Sequence, residues 1–271
     1  MLNFVFTIDG DWLRYFDPAL SRQEKKPDKL WLHALINKEI EIVNKYVDGK
    51  FIHFLHASPV TREFFLTPEF VSVWKLVESS GGSIGVHIHE DVPKEAFYVN
   101  DTGRMMGAIT AHTENLRGSG LHPIAYRGGY LAFNKELIPL LEENKLWLDF
   151  SCEPGRHIPG AADWRGVSDN YYRMAYNDHR KEGESNVFEI PLGEGMYIEL
   201  TPLWKTWLAA RKLKRKAERS EKPIIVSVLA HTYDFRYPFM RAKIRLALLI
   251  LKRYGRFINA DEVYDLVKKN A

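Results

Sequence analysis

Short apolar runs rich in β-branched and aromatic residues recur along the chain, and between most of them the apolar positions switch to a helical period. The runs fall at residues 3–9, 51–56, 84–89, 123–127, 146–150, 187–191, 196–200, 224–231 and 256–259. Segment 29–48 places Leu30, Leu32, Leu35, Ile36, Ile40, Val43 and Val47 on one helical face. Segment 61–80 opens with turn chemistry and stops at Gly81-Gly82. Helical patterns follow at 104–117, 135–144, 203–219, 241–254 and 260–269. Alternation of this length implies an α/β fold with a parallel sheet and helices outside it. Seven or eight repeats favour a closed barrel in one domain over residues 1–271. Residues 153–185 are polar and aromatic with no clear period, and read as a long active-site loop.

In such barrels the reactive groups sit where strands end. The first strand ends Asp9-Gly10-Asp11, the third His87-Ile88-His89-Glu90-Asp91, the next Tyr126-Arg127-Gly128-Gly129-Tyr130. Two more end Asp149-Phe150-Ser151 and Leu229-Ala230-His231. Each alone has a plain structural explanation, as a cap, a core histidine or an ion pair. Together, at corresponding ends of parallel strands, they converge on one pocket, because buried charges are rare unless paired or used.

Composition and charge narrow the chemistry. The 271 residues are 45% hydrophobic and 27% charged, ordinary for a globular chain, and the net charge of +3 is weak support for a nucleic-acid partner. The single cysteine, Cys152, excludes an intrachain disulfide and a cysteine metal cluster. The run Arg211-Lys212-Leu213-Lys214-Arg215-Lys216 reads as a solvated helix face in preference to an anionic-lipid or polyanion site. The N-terminus reads as a strand rather than a signal peptide, and no stretch approaches the roughly 20 apolar residues of a membrane helix. A cytoplasmic protein that does not span a membrane is the expectation; the oligomeric state is left open.

The strand-end set suits metal-assisted hydrolysis. Asp11, His87 and a third group can hold a divalent ion with a position open to water; Zn²⁺ suits imidazole plus carboxylate, with Co²⁺ or Ni²⁺ as alternatives. Asp9 can take the proton of the water, and His231 on the opposite wall can protonate the leaving group. Arg127 would hold Asp9 ionised, Asp149 would favour protonated His231, and the backbone N–H near Tyr130 is available to an oxyanion.

These motifs resemble, in order, those of the polysaccharide deacetylases, the NodB-homology or carbohydrate esterase 4 family. FTIDGDW resembles the first motif, implying Asp9 as base and Asp11 as metal ligand. GVHIHED resembles the second, which supplies the metal histidines. YRGGY implies that Arg127 orients the base and Tyr130 offers its N–H, LDFS places Asp149 beside the acid, and LAH implies His231 as that acid. Val187-Phe188-Glu189-Ile190-Pro191 is similar to a strand common in bacterial glycan-cluster members, which suggests polysaccharide biosynthesis. The resemblance implies a distorted (β/α) barrel of about seven strands. It also implies removal of an N-acyl group, most simply acetyl, from an amino sugar, a glycan or a lipid-linked glycan.

The second motif departs from the family's His-x-x-x-His. Four residues after His87 stands Asp91, and the spare histidine is His89. Residues two apart on a strand share a face, so His87 with His89 is the preferred pair and Asp91 the alternative ligand. Trp12, Trp164 and Tyr172 are candidate sugar-stacking contacts, with Tyr171 and Tyr176 beside them in the loop, although aromatics more often pin a loop to its barrel. His33, His53, His56, His112, His122, His157 and His179 read as core, surface or loop residues. Of these His56 and His157 lie nearest the pocket by topology, where either could touch substrate. The competing readings are an amidohydrolase-type metal barrel, whose His-x-His lies on the first strand, and a non-catalytic glycan-binding relative.

Overall fold

Every residue of the first strand is buried, because both of its faces meet protein. The structure, a computed structural model, describes residues 1–11, 28–59, 61–90 and 101–270. In chain order the first half runs β1 (Leu2–Asp9), α1 (Lys29–Val47), β2 (Ile52–Ala57), α2 (Pro68–Ser79), β3 (Ser83–Ile88), α3 (Thr102–Gly118), β4 (Ala125–Gly128), α4 (Leu137–Glu143) and β5 (Leu148–Asp149). Two hairpins follow, β6 (His157–Ile158) with β7 (Ala162–Asp163) and β8 (Tyr172–Ala175) with β9 (Asp178–Glu182). The chain continues with β10 (Phe188–Glu189), β11 (Leu192–Tyr197), α5 (Leu203–Arg219), β12 (Ile224–His231), α6 (Pro238–Lys252), β13 (Arg256–Phe257) and α7 (Ala260–Lys269).

The sheet curls into the expected distorted barrel. Its order is β11-β12-β1-β2-β3-β4-β5-β10, all parallel, with the β8–β9 hairpin added antiparallel beyond β10. Because β10 and β11 are nearly continuous in the chain, one stave pairs with β5 at its start and with β12 further on. The N–H of Ile190 donates to Asp149 O, and the N–H of Ser227 to Pro191 O. Counting that stave once gives seven. The short β13 lies beside β1 at Asn3 and Phe4, below the point where β2 joins at Thr7.

Strand alternation sorts the side chains. Phe4, Phe6 and Ile8 face the helices in the larger apolar core, while Val5, Ile52, Phe54, Ala125, Leu148 and Ile225 fill the barrel. The last helix, α7, closes the floor with Val263 and Val267. Its Asn259–Glu262 capping box and the bond from Ala260 N–H to Ser83 Oγ fix it beneath the strands. The interior is therefore apolar at the bottom and turns polar only where the strands end.

Segment 153–185 differs from the expected period-free loop. Its two hairpins are tied down by buried Trp164, whose Nε1–H donates to Leu131 O at 2.9 Å, and by Arg180, which bridges Asp178 and Asp163. The strands are too short for an alternating pattern to stand out in sequence. Among the described residues no helix is long and apolar enough to cross a membrane.

Candidate metal centre

At the upper end of the barrel Asp9 of β1 meets Arg127 of β4. Arg127 Nη1 donates to Asp9 Oδ1 at 2.5 Å and to Thr7 Oγ1 at 2.9 Å, and Nε donates to Phe150 O at 2.9 Å. The guanidinium is fully buried, with its central carbon 4.6 Å from the centroid of the Phe54 ring. A buried arginine must be paired, and here the carboxylate, the hydroxyl and the carbonyl together fix its plane. Asp9 is thereby aimed and neutralised within the apolar barrel.

Two residues on, Asp11 turns into a cluster of histidines. Its Oδ1 lies 3.5 Å from His89 Nε2, 3.6 Å from His87 Nε2 and 3.7 Å from His56 Nε2. His87 and His89 approach each other at 3.1 Å through their Nε2 atoms. Gly10, between the acids, bonds its N–H to Phe54 O at 2.9 Å; a Cβ there would meet that same oxygen at 2.9 Å. Glycine is therefore required for close passage against β2 rather than for a special bend.

The cluster has the donors of a metal site. Bonds of 2.0–2.1 Å to a tetrahedral ion put neighbouring ligand atoms about 3.3–3.4 Å apart, and the separations here bracket that value. Asp11 Oδ1 is buried without a hydrogen-bond donor. Burial alone would raise its pKa, but its histidine neighbours, His89 foremost, hold it well below the usual carboxylate range. His87 Nδ1 donates to Arg127 O at 2.9 Å, which leaves Nε2 as the lone-pair atom. His56 Nδ1 shares a hydrogen bond with Thr61 Oγ1 at 3.1 Å, likewise leaving Nε2 facing the cluster. Asp11, His56 and His89 together form a buried group able to hold an ion, with His87 touching both Asp11 and His89. His87 and His89 lie on one face, and His56 joins them. Its only sequence signal was its position at the end of β2, which pairs it in register with His87.

His231 stands on the strand next to β1 rather than on the expected opposite wall, as the register partner of Asp9 across β1 and β12. Its ring stacks on Tyr233 at 4.7 Å, and its Nδ1 lies 3.7 Å from Glu199 Oε2. The His231 N–H donates to Asp234 Oδ2 at 3.0 Å. Tyr233 donates its hydroxyl to Glu199 and its N–H to Asp11 O, linking this strand end to the metal cluster. Burial pushes the Asp234 carboxyl up to about 6.

Asp149 does not stand beside His231. It shares a side of the sheet with Tyr126, opposite Arg127, and its Oδ1 accepts from Ser151 Oγ at 2.7 Å. Ser151 Oγ in turn accepts the Gly128 N–H at 2.9 Å, so Asp149 braces the turn after β4. Burial raises its pKa, and burial together with the Asp149 charge holds its neighbour Glu189 well above the usual carboxylate range. The carboxylates at His231 are Glu199 and Asp234, which sequence reasoning missed because one lies beyond β11 and the other in the turn after β12. In the braced turn, Tyr130 and Leu131 have φ of 58° and 60°, a left-handed pair of non-glycine residues. The Tyr130 ring meets His89 edge-on at 5.0 Å.

Trp164 and Tyr172, the expected sugar contacts, are buried pins. Trp164 packs against Phe133 and edge-on against His179, and Tyr172 donates its hydroxyl to His179 O. Their apolar bodies are worth more to the hairpins than to a ligand. Trp12 and Asp91 lie outside the described residues.

Among solved structures the fold is shared along nearly the whole chain. A provisionally assigned polysaccharide deacetylase from Mycobacterium smegmatis superposes with a TM-score of 0.67 at 15% identity, covering 99% of this chain and 91% of that one. Another, from Pseudomonas aeruginosa PAO1, gives 0.63 at 10% identity with the same coverage of 99% and 91%. An allantoinase gives 0.59 at 12% identity, covering 99% and 90%. No family model matches the sequence, and no curated protein does. The likeness establishes the fold; the chemistry rests on the site.

Proposed function

We propose that this chain is a metal-dependent hydrolase of the polysaccharide deacetylase type, removing an N-acyl group, most simply acetyl, from an amino sugar in a glycan or glycan precursor. The observation that carries the reading is the buried cluster of Asp11, His56, His87 and His89 beside an arginine-held Asp9, itself the register partner of His231. Whole-chain likeness in fold to structures described as polysaccharide deacetylases supports it.

A divalent ion of the zinc type, held by Asp11 and the histidines, would polarise the acyl carbonyl and acidify water. Asp9, paired with and aimed by Arg127, accepts the proton of the attacking water. Its Oδ2 lies 3.9 Å from His87 Nε2, so base and cluster share one space. His231 delivers a proton to the amine nitrogen as the C–N bond breaks, with the Glu199 carboxylate beside its ring and Asp234 holding its backbone N–H. The Tyr130 N–H, at the strained turn braced by Asp149 and Ser151, serves the oxyanion.

The test is acetate release from N-acetylated amino sugars, with and without a chelator. Chelation is expected to abolish release and added zinc to restore it. Asp9→Asn should lower kcat by roughly 10²–10⁴-fold while keeping bound metal, and Asp11→Ala should lose both metal and activity. Undiminished turnover by Asp11→Ala would sink the reading; saccharide binding without turnover in the wild-type protein would leave only a glycan-binding relative.

A further inference from the structure

The exposed faces of α5 and α6 are unlike the rest of the surface. Helix α5 carries seven cations and one carboxylate, so the remainder of this net +3 chain is net negative. Its buried stripe is Thr206, Ala209, Ala210, Leu213 and Ala217. Directly opposite, at 100° per residue, stand Trp204, Leu208, Arg211 and Arg215, all exposed, with Trp207 alongside. The ridge is thus apolar for its first turns and cationic thereafter. The Arg211 guanidinium lies over the Trp207 ring, and the Lys205 ammonium over Trp204. Below them a shallow groove is lined by Leu208, Arg211, Lys212, Arg215 and Arg219. Among the described residues Arg215 and Arg219 have no carboxylate within ion-pair distance.

Helix α6 packs beside α5, and its outward stripe is Phe239, Ala242, Leu246 and Leu249, with Phe239 68% exposed. A solvated ridge is normally polar, and this one is apolar for three turns. Both helices begin at the end of the barrel that holds the site, Phe239 eight residues beyond His231. Leu30 and Trp31 at the start of α1 extend the rim, with the Arg236 guanidinium over Trp31 and Tyr237.

We infer that the α5–α6 face docks on an anionic lipid bilayer. Aromatic and aliphatic tips enter the interface while the cations one to three turns further along α5 meet lipid phosphates, the arrangement of interfacial helices. Charge complementarity selects the occupant. A second copy would bring the same arginines face to face, and a nucleic-acid backbone would leave Phe239, Leu246 and Leu249 bare. The charge run read from sequence as a solvated face is therefore half of a membrane-binding surface. Docked this way, the mouth of the site lies beside the membrane plane. With the deacetylase reading, on which this clause alone rests, the substrate class is a lipid-linked glycan.

The test is co-sedimentation of the full chain with phosphatidylcholine vesicles, with and without phosphatidylglycerol, together with tryptophan fluorescence. Pelleting only with phosphatidylglycerol, release by salt and a blue-shifted emission are expected. Arg211→Glu with Arg215→Glu should weaken partitioning by at least about fivefold per cation removed. Trp204→Ser with Phe239→Ser should abolish the blue shift. These substitutions are at exposed sites, and circular dichroism confirms folding. No pelleting at low salt, or equal pelleting by the arginine variant, would overturn the proposal. So would vesicle binding untouched by Trp204→Ser with Phe239→Ser and displaced by inorganic polyphosphate, which marks a polyanion site. Self-association without vesicles, lost in the same variant, would assign the face to a second copy. Acetate release from soluble sugars is measured separately: a protein that pellets but is inert overturns only the deacetylase reading, and an active one that does not pellet overturns only the docking.

Discussion

Gly129 shows how much of the candidate site depends on single residues. A Cβ there would stand 2.7 Å from His89 Nδ1 and 2.8 Å from the backbone oxygen of Ile88. The ring could yield, but the strand carbonyl could not without moving β3. Gly129→Ala is therefore expected to lower zinc affinity about 10–100-fold, the usual effect of disturbing a ligand's support, and to destabilise the fold by about 1–3 kcal/mol. Zinc titration calorimetry and urea unfolding would check it; unchanged affinity would mean that His89 is not a ligand. Asp149 makes the complementary case. Its acidity was legible, but its direction was not, because which side of a two-residue strand faces the barrel depends on register with β4.

At the scale of elements, α3 packs against β3, bringing a buried histidine beneath the site. His112 donates from Nε2 to Leu55 O at 3.3 Å, and burial, with smaller effects of neighbouring charges, pulls its pKa down to about 4. The folded state keeps it neutral, whereas the unfolded chain takes up a proton below the ordinary value of 6.5. The stability it contributes is complete above about pH 6.5 and is lost as pH falls towards 4. That corresponds to about 2 kcal/mol between pH 7 and 5. His112→Gln, whose amide can still reach Leu55 O, should flatten this part of the stability curve in urea titrations at the two pH values. An unchanged slope would show that His112 is protonated within the fold.

For the whole molecule, the candidate ligands come from β2, β3 and the residues just beyond β1, so an ion held there ties neighbouring staves at their open end. The floor is already closed by α7. Zinc at about 100 times its dissociation constant should then stabilise the chain by about 2.7 kcal/mol, which raises Tm by roughly 5 °C or more. Asp11→Ala should show no such shift in differential scanning calorimetry. An equal shift in that variant would place the stabilising ion elsewhere.

The sequence by itself determined the alternation of strands and helices, hence the barrel, and which strand ends carry reactive groups. Periods of 2 and 3.6 and the chemistry of buried charge are local properties, readable without partners. It also carried the pairing of His87 with His89 on one face, since two residues along a strand is a local relation. The tertiary structure alone decided what lies across from what. His56 joins Asp11 because β2 is registered against β3; Asp149 faces away from His231; Glu199 and Asp234 reach it from segments with no motif. It also decided that the cations of α5 share a surface with the apolar stripe of α6, two segments separated by β12. Side-chain direction across strands and the adjacency of helices are set by sheet register and closure, and those are fixed only when the whole chain packs.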